Sequence, residues 1–234
     1  MVICFLLAFV LLAGCETAPP RGFRIDEPDR IGSNGFSVRY PARLFLVKDI
    51  GWKPAHPPKG PQGLIAPHWE CEVELRKGTP GAILKSQGVM TGFIWVESNS
   101  DRKSRKYGHG PDGPFANAAH QMEGLRRDLE FTWGTATSFV TWWANGRTGL
   151  RTNNWDLNYV IRGRTRDGRW WVNGNFPIAH PKLPKGWDDP LAKSNDELRD
   201  SGHDEAKIRR FSPDSFVPPM SVYDQIVGSL TFPK

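Results

Sequence analysis

The chain is poor in cysteine and in long apolar stretches. Its three cysteines, Cys4, Cys15 and Cys71, are too few to frame a disulfide-stapled domain. Its longest apolar run, Val2 to Gly14, has 13 residues, against roughly 20 for a membrane-spanning helix. Motifs that carry chemistry are missing as well. The six histidines (His56, His68, His109, His120, His180 and His203) include no pair at metal-ligand spacing. There is no Gly-x-Ser-x-Gly elbow, no phosphate-binding glycine loop and no Cys/His nucleophile pairing. These absences argue against an enzyme, and neither a metal nor a cofactor is expected.

What the chain does have is proline, glycine, tryptophan and positive charge. Twenty prolines and 24 glycines imply many turns and short elements, and ten tryptophans favour strands. The net charge of +6 suits anionic lipid head groups or acidic glycans outside the cell, where nucleic acid is not an expected partner.

The 13-residue run has the length of the apolar segment of a secretory signal, about 7–15 residues. It ends in Leu12-Ala13-Gly14-Cys15. Small residues before a cysteine are what a signal peptidase cleft accepts, and the four residues resemble the lipobox of bacterial lipoproteins. A buried helix ending in cysteine would instead be followed by a tight turn and another apolar element, whereas polar, proline-containing sequence from Glu16 to Pro28 follows here. The resemblance implies that residues 1–14 are a signal peptide and that Cys15 is lipidated. It also implies a protein anchored at the cell envelope, on the outer membrane facing the periplasm or on the outer face of the cytoplasmic membrane; a monomer is expected. The residue after the cysteine is Glu16, not the Asp that favours inner-membrane retention in enteric-type bacteria. Residues 15–34 read as a stiff tether, and 35–234 as one globular domain, long enough to build a core without staples. Only Cys71 then remains as a thiol. It sits in the alternating His68 to Leu75 segment and reads as a small apolar side chain on the inner face of a strand.

Strands are expected at 36–40, 44–47, 69–75 and 88–97 from their apolar runs and alternation. Trp52 to Pro67 and Ser98 to Gly113 read as loops. Phe115, Ala118, Ala119, Met122, Leu125 and Leu129 fall at helical spacing and predict a helix over 115–130, with Pro114 in its first turn. Thr137 to Trp143 reads as a strand leading to an Asn145-Gly146 turn. A helix over 223–227 and a strand over 229–232 close the chain, and a short interrupted helix is expected within 195–210.

The second hairpin is legible side chain by side chain. A two-residue turn at Asp167-Gly168 pairs Arg164 with Trp171, Arg162 with Asn173 and Val160 with Asn175 on one face. The other face pairs Gly163 with Val172, Ile161 with Gly174, Tyr159 with Phe176 and Leu157 with Ile178. One face is polar and the other apolar, and both strands agree on that register. The apolar face is expected to pack on the 115–130 helix.

Phe36-Ser37-Val38-Arg39-Tyr40-Pro41 near the mature start is similar to the opening strand of PsbP-like domains, and Tyr223-x-x-Ile226-x-x-Ser229-Leu230-x-Phe232 resembles their closing helix and strand. The resemblance implies an α+β fold, an antiparallel sheet with helices packed on it in an α/β/α sandwich, that binds or supports other proteins. It transfers no catalytic residues.

The candidate binding face is the polar side of that hairpin: Trp171, Arg164, Arg162, Asn173 and Asn175, with Asn158 continuing it. Arg164 opposite Trp171 invites a cation–π contact, and planar donors beside an aromatic plate suit a partner protein or an anionic envelope glycan. The competing reading is an ordinary solvated sheet face on which the Arg164 stem covers Trp171. The expected function is a lipid-anchored, non-catalytic binding or scaffolding domain. The alternative is an envelope hydrolase acting on glycan or peptide. For that role Asp188-Asp189 beside Trp187 offers a carboxylate pair, although adjacent residues rarely point the same way.

Overall fold

The computed structural model describes residues 29–54, 67–85, 90–99, 121–143, 152–155, 157–186, 189 and 206–234. The expected signal peptide, Cys15 and the Asn145-Gly146 turn lie outside these residues, as do most of the two Pro-rich and basic loops and most of the 195–210 segment.

Nine strands are described: β1 (Asp29–Ser33), β2 (Phe36–Tyr40), β3 (Phe45–Lys53), β4 (His68–Leu75), β5 (Thr91–Ser98), β6 (Gln121–Phe131), β7 (Gly134–Trp143), β8 (Asn158–Thr165) and β9 (Trp170–Pro177). Strands β3 to β9 form one seven-stranded sheet in the order β3-β4-β5-β9-β8-β7-β6, with every neighbouring pair antiparallel. Strands β1 and β2 make a separate antiparallel hairpin. Its turn is Asn34-Gly35, with φ of 51° and 80°, the left-handed pair that a two-residue hairpin loop requires. β1 falls inside the stretch read as tether.

The expected α/β/α sandwich does not form. The described residues are dominated by strands, and the helices that lie against the sheet are short: the five-residue α1 (Pro80–Leu84) and the nine-residue α2 (Met220–Gly228). The helix expected over 115–130 is, from Gln121 onward, the edge strand β6; residues 115–120 lie outside the described residues. The reason is a β-bulge. The register of β6 on β7 shifts between Gly124 and Arg127, and Leu125 takes φ 53°. One extra residue moves the inward positions from even to odd numbers. Apolar residues on either side of such a bulge fall three and four apart, which imitates a helix.

One face of the sheet carries the core. Phe45, Trp69, Cys71, Leu75, Ile94, Val96, Val172, Phe176, Tyr159 and Ile161 are buried on it. The alternation expected of β4 holds, and burial pushes the Cys71 thiol up to about 12, which keeps it protonated and inert. Over this face lie α2, through Val222, Tyr223, Ile226 and Val227, and the β1–β2 hairpin, through Phe36 and Val38. Phe36 is an aromatic hub, its ring centroid 5.1 Å from Trp170, 5.5 Å from Trp69 and 6.0 Å from Phe232. The first and last described segments meet there: Ser37 and Thr231 exchange backbone hydrogen bonds of 3.2 and 2.9 Å. This is an isolated bridge, not the longer strand expected over 229–232. Trp133 Nε1 donates to the Val227 carbonyl at the end of α2 (2.9 Å), satisfying one of the carbonyls a helix C-terminus leaves open.

Candidate binding face and the polar clusters behind it

The β8–β9 hairpin has the expected register. Arg164 pairs with Trp171, Arg162 with Asn173, Val160 with Asn175, Gly163 with Val172 and Tyr159 with Phe176. The turn is not the expected two-residue Asp167-Gly168 loop: the Gly168 N–H on the Thr165 carbonyl (2.8 Å) centres it on Arg166-Asp167, with Gly168 following at φ 69°, and the longer connection from Thr165 to Trp170 keeps the same register. Asp167 is fully engaged. It accepts from the Thr165 hydroxyl (2.6 Å), the Arg169 N–H (3.0 Å) and the Arg169 guanidinium. These donors hold its carboxyl down at about 2, since each favours the charged form.

The five candidate residues all lie on one face, opposite the core. Arg164 is exposed, and Arg162, Trp171, Asn173 and Asn175 are half-buried. The Arg164 guanidinium carbon sits 5.8 Å from the Trp171 ring centroid, and that of Arg162 sits 5.0 Å from Phe139. Both are cation–π distances, worth about 0.5–1 kcal/mol at exposed sites. Trp171 Nε1 donates to Asn99 Oδ1 (2.9 Å) just beyond β5, so the indole plate is fixed at its polar edge.

The rest of this face is not a plain solvated surface. Along the rows of paired strands, Trp171 neighbours Glu97 and then His68, and Asn173 neighbours Trp95 and then Glu70. His68, Trp95, Glu97 and Phe139 are buried, at 2–8% exposure, and the His68 and Trp95 rings lie tilted against each other with centroids 4.0 Å apart. The face is therefore graded. Towards β4 it carries Glu70, Glu72 and Glu74, with Asp49 of β3 opposite Glu72. At its centre are buried aromatics, and at β8 the half-buried Arg162 and the exposed Arg164.

Three polar clusters behind and beside the face escaped sequence reasoning. The first joins Arg127, Tyr159 and Asp224. The bulge in β6 turns Arg127 onto the core side, where its Nη2 donates to Tyr159 OH (2.5 Å) and Asp224 Oδ2 (3.0 Å), and Tyr159 OH donates to Asp224 Oδ1 (2.5 Å). Burial outweighs Arg127 and raises the Asp224 carboxyl, and burial also raises the Tyr159 phenol, with Asp224 adding to it. The second is Lys85, fully buried, whose ammonium donates to the carbonyls of Asn154 (2.6 Å), Leu157 (2.8 Å) and Trp155 (3.2 Å).

The third cluster is centred on His180, which is buried and stacked on Phe211 at 3.5 Å. Its Nδ1 accepts from the Lys182 N–H (3.1 Å), so its proton is on Nε2, which donates to Ser215 Oγ (3.0 Å); Ser215 in turn donates to the Ser212 carbonyl (2.6 Å). That direction of bonding leaves His180 without a lone pair for Ser215, so the two do not form a base–nucleophile pair. Burial, with Lys182 and Lys207 nearby, lowers the His180 pKa to about 4. An unfolded histidine titrates near 6.5, so between these values the unfolded chain binds the extra proton and stability falls as pH falls. Unfolding measured from pH 7 to pH 4 is expected to show a loss on the order of 2 kcal/mol, once solvent screening is discounted, that is absent in His180→Gln. Equal pH slopes in the two proteins would remove His180 as the cause.

Among the described residues no group of three or more His, Cys, Asp or Glu side chains is placed to hold a metal ion. Of the other residues singled out, His56, His109, His120, His203, Trp187 and Asp188 lie outside the described residues, and Asp189 accepts from the Lys185 N–H (2.9 Å). No helix of the described residues is long and apolar enough to cross a membrane. Comparison of the chain with protein-family models, with curated proteins and with solved structures finds no match.

Proposed function

We propose that the protein is a lipid-anchored component of the cell envelope, held by Cys15. In this reading it is a non-catalytic binding module that engages an envelope glycan or partner protein through the outer face of β8 and β9. The observation that carries this reading is the pair of stacked guanidinium groups, Arg164 on Trp171 and Arg162 on Phe139, beside Asn173 and Asn175. Stacking lets planar donors be held in place before a ligand arrives, which lowers the ordering cost of binding. The anchor is supported by the apolar run and by Leu12-Ala13-Gly14-Cys15. One acyl chain binds a membrane only marginally, whereas two hold a protein stably.

Two variants test the two halves of the proposal. Cys15→Ser is expected to leave the protein unprocessed or to release it from membranes. A Ser variant that is cut to the same mass and still sediments with membranes would contradict the anchor. Trp171→Ala is expected to cost about 1–2 kcal/mol of stability while abolishing capture of envelope material. Trp170→Ala is the control, because Trp170 points to the core against Phe36; it should cost about 3 kcal/mol. A Trp171→Ala protein that folds and still captures would contradict the binding face.

A further inference from the structure

The hairpin turn also indicates the chemistry of the ligand. We infer that the β8–β9 turn and the Trp171 plate form a site for an acidic saccharide, a sugar bearing a carboxylate or a phosphate. This rests on the reading of the same face as a binding surface.

A shallow concavity of about 320 Å³ lies at the turn, lined by Thr135, Arg164, Thr165, Arg166, Asp167 and Gly168. Its charge is positive in effect. The oxygens of Asp167 are taken up by Thr165 and Arg169, and its charge is offset by Arg169. Arg164 and Arg166 are left to set the local potential. The nearest acidic side chains on this face, Glu97 of β5 beside Trp171 and Glu130 of β6 beside Thr135, are two strands from Arg164, about 10 Å at normal strand spacing, beyond the roughly 8 Å over which exposed charges act in physiological salt, and those of β4 are three strands away.

Arg164 is held for this role without being used up. On one side its guanidinium lies over Trp171. On the other it lies against the turn: a Cβ on Gly168 would come within 2.6 Å of Arg164 Nη2. No described oxygen accepts from the guanidinium. Its N–H fork therefore remains available for a planar or tetrahedral oxyanion, which an arginine can grip with two parallel hydrogen bonds. Arg166 stands at the same rim, with Nη2 near the Phe131 carbonyl (3.4 Å). Beside the fork, the half-buried Trp171 ring offers an apolar plate for the C–H face of a sugar ring. Asn173 and Asn175 continue the face with amide donors and acceptors suited to hydroxyls. An oxyanion grip next to an aromatic plate and amides matches a charged sugar better than a free inorganic anion, which would use the arginines alone.

The test uses the full chain in detergent and three oligosaccharides of equal length: one bearing a uronic acid, one bearing a phosphate and one neutral. Binding is read by calorimetry. At least one acidic sugar is expected to bind at least tenfold more tightly than the neutral one, with affinity falling as salt is added; the tighter of the two acidic arms identifies the anion. Arg164→Ala should lose tenfold or more, and Arg164→Lys most of that, because a lysine keeps the charge but not the fork. Arg126→Ala, which removes an exposed charge elsewhere, should change nothing. Equal binding of neutral and acidic sugars that is lost in Trp171→Ala would overturn the acidic-sugar inference and leave the binding face standing. So would capture of an envelope protein, with no sugar bound, that depends on Trp171. Binding of nothing in a Trp171-dependent way would overturn both.

Discussion

Lys85→Met is expected to lower the unfolding free energy by about 3–5 kcal/mol, since each buried polar group left without its partner costs about 1–3 kcal/mol. Lys85 follows α1, which is started by the Thr79 cap, and its ammonium reaches a segment about 70 residues further along the chain. An ammonium has three donors, and the carbonyls of Asn154, Trp155 and Leu157 take all three. A methionine fills the stem of the site but leaves those carbonyls facing a thioether. The damage would spread, because Asn154 also organises the next loop: its side-chain amide donates to the His180 and Leu183 carbonyls and its oxygen accepts from the His180 N–H. Lys85→Arg should also destabilise, since a flat fork does not fit a site shaped for a compact ammonium. Denaturant unfolding reads both effects; a loss below about 1 kcal/mol for Lys85→Met would mean that the carbonyls find other donors.

Asp224→Ala should cost about 2–3 kcal/mol, because it removes one side of a half-buried charged pair and the acceptor of Tyr159 OH together. Asp224 lies on α2, Tyr159 on β8 and Arg127 on β6, so this cluster fastens the C-terminal helix across three strands of the sheet. Without the carboxylate, Tyr159 OH loses its acceptor and Arg127 its counter-charge, while the Arg127 Nε is already buried without a partner. Tyr159→Phe alone should cost about 1–2 kcal/mol, and the double variant less than the sum, with a coupling of at least 1 kcal/mol. Strict additivity in thermal or denaturant unfolding would show that the three groups do not act as a unit.

The hairpin was the most legible part of this chain. Asp167-Gly168 marked the connection, and two strands with matching alternation left one register that put Tyr159, Ile161 and Val172 inside; the turn itself is centred one residue earlier, on Arg166-Asp167, which leaves that register unchanged. The same logic was available at Asn34-Gly35, another dipeptide favoured in hairpin turns, but β1 contributes Asp29, Arg30, Ile31, Gly32 and Ser33, too little alternation to stand out from a tether. The β6 bulge misled for a physical reason. Periodicity reports which face a side chain takes, and one inserted residue switches that face in mid-strand. The buried clusters were not legible at all. Lys85 and Asn154, or Arg127 and Asp224, meet only because of tertiary packing, and each reads in sequence as an ordinary polar residue. Stacking of Arg164 on Trp171 was legible because cross-strand partners are local once the register is known. The depth at which Trp95, Glu97 and Phe139 are buried on the same face was not, since alternation assigned that face to water.

The outer face of β8 and β9 is the proposed ligand face. Hydrogen exchange of the full chain, with and without isolated envelope glycan, tests it most directly. Ligand-dependent slowing is expected at the turn amides of residues 166–169 and at the adjoining ends of β8 and β9, lost in Trp171→Ala and absent from the β1–β2 hairpin. Slowing confined to β1–β2 or to α2, with the turn unchanged, would contradict it.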